Sequence, residues 1–261
     1  MKRYFVFLLF ISKVCTAQNW MGEVMVGTSA YNGDLTQQLI SAKRLNPAIG
    51  FDIRYSSGDF FDFRAGLSFE RVSANDKDNK SPFLQARNLN FKSNILEFNL
   101  SIEFNLADPQ VYNQYPYLFG GVGIFHFNPY TNDDNHKKTF LQPLSTEGEG
   151  LPDYPTRKKY SLMQPCFPVG VGFKWKPNDN SRLQWSYEFG YRILLTDYLD
   201  DVSKTYVSVE TLALRKGAES AELSYRKTGT PFSEEGYPRG NSKVKDYYFF
   251  TGFRLAFKLQ K

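Results

Sequence analysis

Residues 96–105 read LEFNLSIEFN, and this stretch decides the fold class. Its apolar residues occupy every second position, and the positions between them carry only Glu, Asn and Ser. Because side chains along a β-strand point alternately to its two faces, this spacing predicts a strand with one apolar and one polar face.

The same alternation recurs along the chain. Seven further segments show it, at about 19–31, 47–56, 61–70, 117–128, 166–176, 183–193 and 247–258. The segments at 19–31 and 117–128 are rich in glycine and less regular. No apolar stretch after residue 17 is long enough for a transmembrane helix, which needs about 20 residues. The sequence therefore predicts an all-β protein, an eight-stranded antiparallel barrel.

Two closed architectures share this pattern and differ in what the apolar face meets. A soluble lipocalin-like barrel points that face inward around a ligand, whereas a transmembrane barrel points it at lipid and keeps polar groups inside. Glycines recur on the polar face, where a narrow lumen needs room for long charged side chains. They are Gly50, Gly66, Gly170, Gly172, Gly190 and Gly252. We therefore predict lipid outside and a plugged polar lumen.

Acids and bases are balanced on the polar face. The predicted lumen charge network consists of Asp52, Arg54, Asp62, Arg64, Glu97, Glu103, Glu188, Arg192 and Arg254. The same face carries Glu23, Glu70, Lys174, Lys176 and Lys258. Buried charges are tolerated when they are paired, so we expect ion pairs across the lumen rather than catalytic carboxylates.

The connections between strands alternate in length. Those at 57–60, about 106–116 and 177–182 are short, whereas those at about 32–46, 72–93, 129–163 and 196–245 are long. Short periplasmic turns with long extracellular loops are typical of outer-membrane barrels. We also expect a helix over 207–226 in the last loop, where Gly217 is the main interruption.

The N-terminus has the pattern of a secretory signal. Lys2 and Arg3 precede an apolar run over residues 4–11, and small residues follow at 15–17. We predict a cleaved signal peptide at 1–17, a barrel domain at 18–261 and localisation in the outer membrane. Removing Lys2, Arg3 and Lys13 lowers the net charge from +5 to +2, so the basicity does not indicate nucleic-acid binding. Aromatic residues make up 17%, which suits strands that meet outer-membrane lipids.

The residues for catalysis are sparse, and we expect no enzyme, metal or cofactor. The two histidines are His126, at the predicted outer end of a strand, and His136, which follows Asp133 and Asp134 in a loop. The segment 196–203 holds three aspartates but lacks the glycine turn and ligand spacing of a calcium loop. The alternatives are a barrel enzyme at the outer rim or a barrel that binds a small ligand.

Several motifs resemble the PorG family of Bacteroidetes. They are YNGDL at 31–35, PYLFGGVG at 116–123, FNP at 127–129, LQPLSTEG at 141–148 and TDYLDDVS at 196–203. The last is the family-signature loop, with Thr196, Asp197, Tyr198, Asp200, Asp201 and Ser203. Glu149 stands where the resemblance leads us to expect Gln. The motifs keep the same order along essentially the whole chain after the signal.

The resemblance implies a part in the type IX secretion system. Proteins of this kind are integral outer-membrane components associated with a periplasmic ring of the lipoprotein PorK and its partner PorN, and the system supports gliding in some members. On that basis we expect partners similar to PorK and PorN. The turn at about 106–116, with Asp108, Tyr112 and Tyr115, is a candidate contact for them. An aromatic collar at the membrane boundary is the alternative for these tyrosines.

Overall fold

The computed structural model describes residues 19–38, 42–58, 60–132, 137–178, 181–227 and 235–259. The predicted signal peptide at 1–17 lies outside these residues. Across the described ranges, no helix is both long and apolar enough to span a membrane.

The described residues form an antiparallel sheet that closes on itself. In chain order its strands are β1 (Trp20–Asn32), β2 (Asn46–Ser56), β3 (Phe61–Asn75), β4 (Asn90–Asn105), β5 (Gln114–His126), β6 (Pro129–Asn132), β7 (Lys138–Phe140), β8 (Met163–Trp175), β9 (Leu183–Leu194) and β10 (Tyr247–Lys258). The barrel runs β1-β2-β3-β4-β5-β8-β9-β10 and closes where β10 pairs with β1. The short hairpin β6–β7 extends the outer end of β4. The prediction of an eight-stranded antiparallel barrel is confirmed.

The apolar face of the barrel points outward. Leu100, at the centre of the outward row of β4, is 51% exposed, whereas Glu103 on the inward row is fully buried. The same division holds along β2, β3 and β9. A continuous apolar exterior of this extent is incompatible with water and is what the hydrocarbon core of a bilayer requires. The chain is therefore an outer-membrane β-barrel with lipid outside.

Glycines on the inward face provide space for large neighbours. A Cβ atom at Gly66 would collide with the carboxylate of Asp52, and one at Gly172 would collide with the ring of Tyr117. Both glycines lie opposite these side chains within the lumen, so the predicted reason for glycine on this face is confirmed at these two positions.

At the outer ends of β3 and β4 the two faces exchange polarity. The inward residues there are apolar, such as Val72 on β3 and Ile95 on β4, both fully buried, whereas the outward residues Arg71 and Asn94 are polar. The predicted outer link at 72–93 is therefore wrong in its bounds, because β3 and β4 stay paired as far as Asn75 and Asn90. These two strands leave the membrane and continue as a polar collar around an apolar interior.

The outer connections fold over this collar as a compact cap. The cap contains helices α1 (Pro82–Arg87), α2 (Val209–Lys216) and α3 (Ala218–Ser224) and short 3₁₀ turns at Ala42–Arg44, Asp76–Asp78 and Gln142–Leu144. The helix predicted over 207–226 is confirmed, and it is divided at Gly217, where φ is +96°. Its core joins loop residues such as Leu141, Leu199 and Leu223 to Phe125 and Tyr248 of the barrel wall. The long loops therefore pack together as one folded layer with a shared core.

Candidate functional site

The lumen holds a continuous network of charged side chains. Each of the nine residues predicted for it lies inside the barrel, and none is more than 8% exposed. Glu103 is at its centre, with carboxylate oxygens 2.5 Å from Arg64, 2.5 Å from Lys174 and 3.5 Å from Arg54. Three cations from three different strands therefore converge on one acid.

A second acid, Glu188 of β9, extends the network to the opposite side of the barrel. Glu188 contacts Arg64 at 2.5 Å and Arg254 at 2.7 Å and accepts a hydrogen bond of 2.6 Å from the Tyr117 hydroxyl. Arg254 also pairs with Asp52. These contacts join β2, β3, β5, β9 and β10 across the barrel axis.

The outer part of the network is built around Glu97. Its carboxylate pairs with Arg192 at 3.1 Å and accepts a hydrogen bond of 2.8 Å from Tyr248. Glu70 lies 3.9 Å from the same arginine. The lumen is therefore occupied by paired charges, as predicted for a plug. Lys176 and Lys258, predicted on the same face, instead line the periplasmic mouth, where Lys258 is exposed.

The family-signature loop lies inside the cap, not on its surface. Asp197, Asp200, Asp201 and Ser203 are each no more than 3% exposed. The Ser203 hydroxyl donates a 2.7 Å hydrogen bond to Asp197. Asp201 adopts φ of +68°, a left-handed conformation in which Asp is among the more tolerant residues.

Two other motifs that carry the PorG resemblance contact this loop. The Tyr31 hydroxyl donates to Asp200 at 2.5 Å, from a position 169 residues away in the chain. Thr146 donates to Asp201, and the Glu147 carboxylate accepts from the Ser203 backbone N–H at 3.0 Å. Segments 31–35, 141–148 and 196–203 are thus one hydrogen-bonded unit.

Acids outnumber bases in this unit, and burial sets their protonation. Loss of hydration raises the pKa of Asp201 to about 6 and that of Asp197 to about 7. It raises the pKa of Glu149 to about 8, with Asp201 and Glu147 adding to the effect. The main counter-charge is Arg239, which lies 3.2 Å from Glu147 and donates to the Asp201 carbonyl at 2.6 Å. A neutral Glu149 at pH 7 has nearly the shape and charge of the Gln that the resemblance leads us to expect.

The described residues among those considered for catalysis or metal binding do not form a metal-ligand cluster. Within the described ranges, no three His, Cys, Asp or Glu side chains are placed to hold a metal ion. His126 lies at the outer end of β5 with its side chain exposed, as predicted. His136, Asp133 and Asp134 lie outside the described residues.

The periplasmic turn between β4 and β5 presents a small exposed surface. Tyr112 is 56% exposed and Val111 68% exposed. Asp108 shapes the turn, because its side chain accepts from the Gln110 N–H at 2.8 Å. The prediction that Tyr115 belongs to this contact surface is wrong. Tyr115 belongs to β5, is only 2% exposed and accepts a hydrogen bond from Gln184 inside the barrel. It cannot contact a partner.

Comparison by sequence identifies a family. The family described as a domain of unknown function, DUF6089, matches residues 2–144. The chain belongs to the DUF6089 family. No curated protein matches the chain.

Several solved outer-membrane barrels are similar to this DUF6089 protein at low sequence identity. Neisserial surface protein A (NspA) is 8% identical, with a TM-score of 0.45 over 92% of this chain and 97% of that one. A major outer membrane protein from Thermus thermophilus is 12% identical, with a TM-score of 0.43 over 91% of this chain and 99% of that one. OprG from Pseudomonas aeruginosa is 8% identical, with a TM-score of 0.39 over 91% of this chain and 95% of that one. The fold assignment rests on the strand pairing of this chain itself.

Proposed function

We propose that this DUF6089 protein is a non-enzymatic, integral component of the type IX secretion system, exported by a cleaved signal at residues 1–17. In this role it anchors or organises a periplasmic ring made of PorK-like and PorN-like proteins. The observation that carries the proposal is the convergence of segments 31–35, 141–148 and 196–203 in one buried unit. Motifs that depend on each other for their conformation support the PorG resemblance more strongly than scattered short matches.

The filled lumen favours a scaffold over a conduit. Glu103 and Glu188 are fully buried and each pairs with cations from other strands. Moving cargo through this lumen would require these pairs to separate in a low-dielectric interior, which is costly. The protein therefore acts through its position in the membrane and through its two exposed ends.

The turn at 106–113 is the proposed contact with the ring. Its exposed apolar and aromatic side chains are Val111 and Tyr112. Aromatic residues at the centre of interfaces frequently provide most of the binding energy. With Tyr115 removed from this surface, Tyr112 is its aromatic anchor.

The test uses a deletion strain complemented with variants. The strain lacking the protein is expected to retain cargo with C-terminal signals in the periplasm, and the wild-type gene is expected to restore export. The double change Val111→Ser and Tyr112→Ala is expected to lower co-purification of the PorK-like lipoprotein about tenfold or more, because a central anchor contributes about 2 kcal/mol.

Tyr237→Ala provides the matched control, since this tyrosine is 67% exposed on the opposite, outer end. It is expected to leave both co-purification and export unchanged. Normal export in the deletion strain would contradict the proposed function. Full recovery of the lipoprotein with the double variant would exclude only the turn and point to the barrel wall.

A further inference from the structure

A pocket lies at the outer edge of the lipid-facing surface, where β3, β4 and the β6–β7 hairpin meet. It has a volume of about 240 Å³. Its lower wall is made of Phe69 and Leu96, which are 45% and 49% exposed on the membrane-facing surface. Its upper wall includes Asn94, Tyr130 and Lys138.

The two walls belong to different environments. Phe69 and Leu96 are the last apolar residues on the outward rows of β3 and β4, and the next outward residues are Arg71 and Asn94. The pocket therefore crosses the boundary between hydrocarbon and headgroups. Its occupant needs an apolar part in the bilayer and a polar part just above it.

The polar part meets positive charge. The Lys138 ammonium lies 4.1 Å from the centre of the Tyr130 ring and 4.6 Å from that of Phe140, so the two rings hold it in place. Arg71 is not part of the pocket lining but donates a 2.9 Å hydrogen bond through Nε to Asn94, which is. Lys92 is exposed on the same outward row as Asn94.

Within the described part of the chain, these cations have no acidic partner. Among the residues that the structure describes, no carboxylate lies within ion-pair distance of Arg71, Lys92 or Lys138, whereas the nearby Lys137 reaches Glu219 at 3.6 Å. The outward rows of β3 and β4 carry no acid at all between Phe61 and Arg71 or between Lys92 and Phe104. An anionic group is the complement that this arrangement requires.

We propose that this pocket binds the phosphate of an outer-leaflet lipid, with the acyl chains lying against Phe69 and Leu96. Lysine and arginine form charge-assisted hydrogen bonds with phosphate oxygens, and the aromatic rings hold Lys138 before binding. The continuity of the lower wall with the membrane surface selects a lipid over a soluble anion. This inference stands independently of a secretion role.

Native mass spectrometry of the detergent-purified full chain tests the site. The probes are diphosphoryl lipid A and the same lipid with both phosphates removed enzymatically. The wild-type protein is expected to retain the phosphorylated lipid, and Lys138→Gln and Arg71→Gln are each expected to weaken retention about tenfold, the loss of one charged hydrogen bond. Lys243→Gln is the control, because Lys243 is also exposed but precedes β10 on the far side of the barrel.

Three outcomes would overturn the proposal. The first is equal retention of the phosphorylated and dephosphorylated lipids. The second is equal weakening by Lys243→Gln, which would indicate general attraction to a basic surface. The third is displacement of the lipid by inorganic phosphate at concentrations comparable to the lipid, which would indicate a site for the free anion.

Discussion

Replacing Glu103 with Gln is expected to lower the free energy of unfolding of the barrel by about 3–5 kcal/mol, the cost of removing one partner from a buried ion network. Glu103 lies 2.5 Å from Arg64 and from Lys174. Without its negative charge these cations remain buried in the lumen with too little counter-charge. The barrel wall is unchanged, so the whole effect comes from the network.

Urea unfolding in lipid vesicles, followed by tryptophan fluorescence, provides the measurement. Trp20, Trp175 and Trp185 all lie at the periplasmic ends of their strands and report on the barrel. Glu222→Gln is the matched control, since Glu222 is an exposed acid of α3 in the cap. If Glu103→Gln costs no more than this control, the network is not a stabilising plug.

The cap is expected to lose stability as the pH rises, and Glu149→Gln is expected to remove much of that loss. Burial raises the pKa of Glu149 from 4.5 to about 8, so the folded cap favours the neutral carboxyl. This contribution is complete below about pH 4.5 and is lost as the pH rises through about 8. The difference is on the order of 3–5 kcal/mol by pKa linkage, and a Gln side chain does not titrate.

Hydrogen-exchange mass spectrometry of residues 141–160 and 195–225 between pH 5 and pH 9, corrected for intrinsic exchange rates, measures cap opening. The wild-type protein is expected to become less protected at high pH than Glu149→Gln. Glu222→Gln again serves as the control and should follow the wild type. Parallel curves for the wild type and Glu149→Gln would show that this carboxyl does not control the cap.

Local alternation is sufficient to predict the barrel because each strand crosses a uniform environment. Residues 96–105 meet lipid on one side and a charged lumen on the other over their whole length. The polarity of each side chain therefore indicates whether it points outward or into the lumen. For the same reason, all nine predicted lumen charges lie in the network. Once a strand leaves the membrane, this rule reverses, as Arg71 and Val72 show. Alternation alone therefore assigns the outer ends of β3 and β4 to a loop.

The cap cannot be predicted in this way because contacts between distant segments hold it together. Tyr31 and Asp200 are 169 residues apart, and no sequence pattern near either residue indicates their hydrogen bond. The sequence pattern predicts Tyr115 within the turn at about 106–116. In the structure Tyr115 belongs to the inward row of β5, together with Tyr117 and Phe119. The rings of Phe119 and Tyr117 occupy the space beside Gly170 and Gly172. The glycines that make room for these rings lie on β8, about 50 residues further along the chain, so their pairing with β5 cannot be read from the local sequence.

The apolar face of the barrel meets lipid, and the charged face fills the lumen. The most direct test compares Leu100→Arg with Ser68→Ala in the same vesicle unfolding assay. Leu100 is 51% exposed at the middle of the membrane-facing row, whereas Ser68 is 5% exposed on the inward row. The arginine is expected to cost about 2–4 kcal/mol, as a charge at the bilayer midplane does. The serine change is expected to cost less than about 1 kcal/mol. Equal costs, or a larger cost for Ser68→Ala, would contradict this assignment of the two faces.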